Sequence, residues 1–378
     1  MFSIRTSVVA AAALAAVAGF ATAAPAFAAA PAGPGPSGGS VFVQTDNLSG
    51  NQVVAYQRGA NGTLTQAASY PTGGLGGQLT GSMVDHLASQ GSLQYDPAHS
   101  LLFAVNAGSN TVTVFSVHGD QLVRREIVPS GGSFPVSVAV HGDVVYVLNA
   151  LNGGSVQGYR LIAGFLVPLP GSSRALGLDP TETPQFTSTP GQVAFSPDGR
   201  QLIVTTKNNG NDIDVFGVGF FGELSRSPVV NSEPGTVPFG IAYDSYGHLV
   251  IAEAGPDALE TFSLAADGVV SPVDQVTNEQ AATCWVAGTG QYLYASNAGS
   301  GDVTGYAAAG GQLTVIGNTS TDAGTVDATA TPDGQFLYVQ AGAAGIVDEF
   351  SVGAGGSLTS VGSVTVPGAI GGEGIVAS

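Results

Sequence analysis

One repeat constrains this chain more than any other feature. A two-strand phrase recurs seven times: an apolar strand, a polar turn, then an alternating strand ending in an aromatic residue. The copies read VFVQTDN…VVAY, LFAVNAGSNTVTVF, VYVLNALNGGSVQGY, LIVTTKNNGNDIDVF, LVIAEAGPDALETF, LYASNAGSGDVTGY and LYVQAGAAGIVDEF. Their terminal aromatics are Tyr56, Phe115, Tyr159, Phe216, Phe262, Tyr306 and Phe350. Most copies lie 44 to 46 residues apart, the length of one four-stranded propeller blade. A further strand and tight turn precede the phrase, clearest in QVAFSPDGRQLIV and ATATPDGQFLYV, where Pro-Asp-Gly supplies turn chemistry. Another turn and a fourth strand follow it. The pattern predicts an all-β, seven-bladed β-propeller of four-stranded blades over residues 41–378. The first copy starts at the second strand of a blade. The closing segment Gly374-Ile375-Val376-Ala377 resembles the inner strands VSVAV and GQVAF, so the C-terminal strand is expected to close blade one and remove two open edges.

Composition fits this reading. The 56 Gly and 21 Pro among 378 residues serve many tight turns, and 44% hydrophobic residues supply a large core. Asp and Glu number 27 against 9 Lys and Arg, a net charge of −18, and Lys207 is the single lysine. Such a balance argues against nucleic acid or an anionic membrane as partners, because both need a basic footprint. The one cysteine, Cys284, excludes an intrachain disulfide and lies in the apolar run ATCWV, where a buried, inert thiol is expected.

Residues 1–28 read as a secretory signal peptide. Arg5 is the positive start, Val8–Phe20 is apolar, and Ala26-Phe27-Ala28 is a small-x-small cleavage pattern. The apolar run is short for a spanning helix and is followed by Thr22 and Pro25. The expected product is a secreted monomer with no membrane contact after signal removal. Residues 29–40 form a Pro/Gly linker, in which GxGxxG and GxSxG matches lack the strand and helix that their mechanisms need.

The phrases SPDGRQLIV, LYASNAGSGDVTGY and LFAVNAGSNTVTVF resemble the seven-bladed β-propeller lactonase family, which contains 6-phosphogluconolactonases and 3-carboxymuconate lactonising enzymes. The resemblance covers about residues 41 to 378 and is similar to the secreted bacterial branch. It implies hydrolysis of a small lactone at the channel mouth. The matching motifs are blade scaffold, so no catalytic residue is carried over from the family.

Topology narrows the candidates. Ligands of propellers sit on the face that carries the two-to-three turns and the links between blades, here called the top. His86 is the one histidine in a top link, and Asp85 beside it either orients the imidazole or caps a short turn. Lys207 stands in the turn TTKNNG, and Glu253 replaces an Asn of the repeat with a carboxylate. Two long links, 71–90 and 171–192, fall on the top face, the second carrying Arg174. Lactone hydrolysis needs a base and a cation or donors for the oxyanion. His86 or Glu253 is the expected base and Lys207 or Arg174 the electrophile, with Gln90, Gln192, Thr283 and Glu279 offered to the substrate from the inner-strand starts. A weaker route has Glu253 and neighbouring Asn hold Ca²⁺; no metal-ligand motif is present. A phosphorylated sugar lactone suits so acidic a chain poorly, and a neutral or aliphatic lactone suits it better. The alternative is a secreted binding or structural propeller without chemistry.

Overall fold

A computed structural model describes residues 38–378, so the expected signal peptide and all but the end of the linker lie outside the described residues. Seven antiparallel sheets follow one another, six with four strands. Blade one is built from β1 (Ser40–Gln44), β2 (Gln52–Arg58) and β3 (Leu64–Pro71). Its inner strand is the last of the chain, β29 (Ile375–Ala377), with Val41 opposite Ala377 and Val43 opposite Ile375. The closure expected from the C-terminal sequence is therefore present. Blade two runs from β4 (Leu93–Asp96) through β5 (Leu101–Asn106) and β6 (Thr111–His118) to β7 (Gln121–Pro129). Blade three uses β8 (Pro135–His141), β9 (Val144–Asn149) and β10 (Ser155–Ile162), and its outer strand is split into β11 (Phe165–Pro168) and β12 (Arg174–Ala175). Blade four is β13 (Val193–Phe195), β14 (Gln201–Thr205), β15 (Asp212–Gly217) and β16 (Val229–Ser232). Blade five is β17 (Pro238–Tyr243), β18 (Leu249–Glu253), β19 (Ala258–Leu264) and β20 (Val270–Thr277). β21 (Thr283–Gly288) to β24 (Gln312–Ser320) form blade six, and β25 (Thr325–Ala330) to β28 (Leu358–Thr365) form blade seven.

The core lies between blades. Phe42, Val53 and Ala55 of blade one pack with Leu93, Leu102 and Phe115 of blade two, and Val250 and Leu259 of blade five pack with Leu293 and Tyr306 of blade six. Second strands such as β5 are buried along their whole length. They therefore read as continuous apolar runs, whereas outer strands such as β7 expose alternate residues. All seven terminal aromatics of the repeat are buried. Tyrosines of the second strands tie neighbours together: Tyr146, Tyr294 and Tyr338 donate to the carbonyls of Gly222, Gly356 and Gly62 in the next blade.

The register aligns the two-to-three turns. Pairing each strand-two residue with the terminal aromatic puts Thr45, Asn106, Asn149, Thr206, Glu253, Asn297 and Ala341 in equivalent places. Asn106 and Asn297 are buried and donate sideways to threonines of strand three, Thr113 and Thr304. They brace the hairpin from within and are not solvent-facing turn caps.

Candidate functional site

The top of the channel opens into a cavity of about 590 Å³, within the ~300–1,000 Å³ usual for small-molecule sites. Both long links contribute walls, through Gly81–Asp85 with Ala88 and through Phe186 and Thr187. The remaining wall comes from the two-to-three turns of blades four to six and from the inner-strand starts that carry Phe239 and Trp285. Most of this lining is apolar because inner strands begin with residues that must pack across a narrowing channel. Phe239 and Trp285 pack 4.9 Å apart, and the indole N–H donates to Ser89 O at 2.6 Å. Met83 stands 77% exposed at the rim.

Lys207 borders the cavity and is 1% exposed. Its backbone takes a left-handed φ of 55°, an uncommon setting for a non-glycine residue and one that clusters at functional sites. Its Nζ lies 2.5 Å from Ala88 O, 2.6 Å from Phe186 O and 3.1 Å from Thr189 Oγ1, and 5.1 Å from the Phe239 ring centre. Burial pulls its pKa down to about 7, against the opposing pull of Asp85. The partners serve both protonation states. The ammonium donates to all three, while the neutral amine donates to the two carbonyls and accepts from the Thr189 hydroxyl.

Asp85 borders the same cavity. Its carboxylate accepts the amides of Leu87 at 2.8 Å and Ser89 at 3.0 Å. Burial nevertheless raises its pKa to about 6, with those amides and Lys207 acting the other way. Ala88 joins the two groups: its N–H faces Asp85 and its carbonyl accepts from Lys207. Gln90 reaches across to β21, donating to Val286 O at 2.8 Å and accepting Val286 N–H at 3.0 Å. A Cβ on Gly240 would sit 2.3 Å from the Gln90 oxygen, so this tie requires glycine there.

A second layer of buried acids, Glu373, Asp327 and Asp46, lies below. Ser89 Oγ is 2.7 Å from Glu373 Oε2 and 3.0 Å from Val136 O. One hydroxyl proton cannot serve two acceptors. A protonated Glu373 that donates to Ser89, which in turn donates to Val136, satisfies the whole chain. Burial likewise holds Glu373 well above the usual carboxylate range.

The structure does not bring the sequence candidates together. Of the four residues expected to be catalytic, only Lys207 lines the cavity. His86 faces a separate groove beside Val366 and Ile370, packs on Gly371, and has no partner for Nδ1. Burial lowers its pKa. Asp85 caps its own turn and leaves the His86 ring alone. Glu253 points into blade five, where Gln275 donates to both Glu253 at 2.7 Å and Glu260 at 2.8 Å. Burial first, then Glu260, raises its pKa to about 9. Arg174 is a strut that donates to the carbonyls of Leu224, Ser225, Gly171 and Ser173.

The residues expected to meet substrate are also engaged elsewhere. Gln90 is tied to Val286, and Gln192 accepts Ile241 N–H at 2.5 Å. Thr283 donates to Asn297 at 2.7 Å, and Glu279 is exposed in a left-handed turn. Among the described residues no group of three His, Cys, Asp or Glu side chains is placed to hold a metal ion. Around Glu253 the Gln275 amide donates to both carboxylates. From sequence Asp85 is only the neighbour of His86, and its place in a top link was the available signal. Glu373 is offered to the channel by its place at the start of the closing strand.

Residues 255–371 match the family model for lactonase, 7-bladed beta-propeller. The described chain is a seven-bladed propeller, and this part of it is similar to the lactonase family. Similar solved structures include a candidate 6-phosphogluconolactonase from Bacteroides fragilis, at 18% identity and TM-score 0.70, covering 91% of this chain and 100% of that one. A periplasmic gluconolactonase from Pseudomonas aeruginosa matches at 17% identity and TM-score 0.71, covering 90% and 98%. Virginiamycin B lyase from Staphylococcus aureus matches at 11% identity and TM-score 0.54, covering 78% and 90%. At these identities the likeness is one of fold. No curated protein sequence matches the chain.

Proposed function

We propose that this lactonase-like propeller acts outside the cytoplasm and hydrolyses a small, uncharged and largely apolar lactone in the top cavity. The observation that carries the reading is the pairing of Asp85 and Lys207, two buried groups of opposite charge bordering one apolar cavity. Asp85 takes a proton from water as the water oxygen attacks the lactone carbonyl. The oxyanion forms facing Lys207. As the ring C–O bond breaks, the alkoxide takes the proton back from Asp85, giving the hydroxy acid. The apolar walls select the substrate. A polyol or phosphorylated ring would leave hydroxyls or phosphate unpartnered against Phe239, Trp285 and Val237.

Acid release in a pH-stat from neutral apolar lactones, sugar lactones and phosphorylated lactones tests this. Turnover of the apolar set, lost in both Asp85→Asn and Lys207→Met, supports the reading. Turnover that survives both changes overturns it. A second reading, ligand binding without turnover, draws on the saturation of Lys207 by three protein acceptors. Saturable calorimetric binding with no acid release would favour it.

A further inference from the structure

The cavity carries a third charged group, Asp257, apart from the Asp85 and Lys207 pair. Its place in the repeat shows what the fold asks of it. The residue five positions before the terminal aromatic is Asn in blades one, two and four, Gly in blades three, six and seven, and Asp257 in blade five. All but Asn51 of blade one take left-handed backbone, with φ between 54° and 73°, which suits glycine and asparagine. In blades two and four the asparagine also caps the start of the next blade. Asn110 Oδ1 accepts Phe134 N–H at 2.7 Å, and Asn211 Oδ1 accepts Val237 N–H at 3.0 Å. Asp257 does the same work in blade five, where its Oδ1 accepts Thr283 N–H at 3.2 Å. Asparagine fills this structural role twice, so the fold does not call for the carboxylate.

The cavity supplies a reason for it. Thr283 N–H is the one hydrogen bond of the Asp257 side chain among the described residues, and it leaves Oδ2 for the cavity that Asp257 borders. Asp257 is half-buried, so solvent reaches it. Its surroundings are apolar: Val237, Ala254, Ala282 and Ala298 border the same cavity. The Cys284 thiol on this wall is raised by burial, lowered by Lys207 and raised again by Asp85 and Asp257, which puts Asp257 within electrostatic reach. A ligand whose apolar body fills this wall displaces water from Oδ2. It must return a donor or leave a carboxylate oxygen unpaired. A cation there would share the cavity with the Lys207 ammonium, which already lies 5.1 Å over the Phe239 ring. A neutral N–H or O–H meets no such repulsion.

We propose that Asp257 determines specificity in this cavity, its Oδ2 accepting a hydrogen bond from a neutral N–H or O–H on the substituent of the lactone. This rests on the lactone reading of the cavity, and narrows its substrate to an uncharged, largely apolar lactone with one donor away from the ring. A site that presents an acceptor discriminates against an analogue of equal size that lacks the donor.

Two probes test this: a γ-lactone carrying an aliphatic amide, and its N-methyl counterpart, which has no donor. Calorimetric affinity and kcat/KM are measured for both on the full secreted chain and on Asp257→Asn. The wild type should prefer the N–H lactone by on the order of tenfold. In Asp257→Asn, Oδ1 keeps Thr283 N–H, as Asn211 keeps Val237 N–H, and an amide donor takes the place of Oδ2. The preference should vanish or reverse, with an unchanged Tm. Turnover of both lactones without preference, or a preference that the variant retains, overturns the role of Asp257 and leaves the lactone reading standing. Binding that prefers the N–H lactone without turnover supports the role of Asp257 and overturns hydrolysis. No binding of either probe overturns both. Tighter binding of a lactone with a dimethylammonium group in place of the amide reassigns Asp257 to a cation and overturns the neutral-donor assignment.

Discussion

Asp85→Asn is the substitution that separates chemistry from architecture. In the wild type, Asp85 must be ionised and Lys207 protonated. With pKa values of about 6 and about 7, the competent fraction peaks between the two and falls on the acid side as Asp85 protonates and on the alkaline side as Lys207 loses its proton. The asparagine keeps an oxygen for Leu87 N–H but turns an amide toward Ser89 N–H, 3.0 Å from the original oxygen. Losing that buried bond costs about 1–3 kcal/mol of stability, which a domain of this size tolerates. Losing the base costs about 10²–10⁴ in kcat/KM. The loss of the opposing charge also lets Lys207 fall further, so any residual rate lacks the acidic limb and declines from a lower pH. The assay is kcat/KM from pH 4.5 to 9, with Tm recorded on the same samples. A variant that keeps the wild-type bell, or loses rate only in proportion to its folded fraction, refutes the assignment of Asp85.

Other consequences follow from the same contacts. Lys207→Arg cannot place a planar fork on Ala88 O, Phe186 O and Thr189 within the same space, so it should lose turnover almost as fully as Lys207→Met; near-wild-type kcat in the arginine variant would deny the site its shape. Glu373→Gln keeps a donor to Ser89 and should fold with a Tm close to wild type, whereas Glu373→Leu should lose several degrees; equal melting of the two would remove the neutral-acid assignment. Asp46 is raised from 3.8 to about 8, chiefly by burial. The unfolded chain releases that proton first, so its contribution to stability is present below about pH 4 and is lost as pH rises through about 8. Asp46→Asn should flatten the decline of urea-unfolding free energy between those limits, and an unchanged slope would contradict it. With Glu253 held by Gln275 and Glu260, EDTA should leave turnover and Tm unaltered; loss of either would put a metal in the site.

The fold was legible because its signal is repeated. Tyr56, Phe115 and the five later aromatics each fill the gap between two blades, and a residue type required seven times in one register survives drift elsewhere. Gly374–Ala377 could be recognised as an inner strand for the same reason. The site has no such redundancy. Its two charges come from a link after blade one and a turn in blade four, 122 positions apart by number, and only the closed ring makes them neighbours through Ala88. One residue of rotation separates Asp85, at the cavity, from His86, in the groove beside Ile370, and no periodic pattern fixes that rotation in a loop. Glu253 stood out correctly as a departure from the repeat. Its neighbour Glu260 lies on the adjacent strand, and the pair shares Gln275 inside the blade, so its departure serves packing of one sheet and not the channel.

The most direct measurement is a crystal structure of the protein soaked with a slowly hydrolysed apolar lactone or its hydroxy-acid product. Ring density is expected between Trp285 and Phe186, with the carbonyl or carboxylate oxygen toward Lys207 Nζ and a water beside Asp85. Density in the groove beside His86 and Ile370, with the top cavity empty, would contradict it.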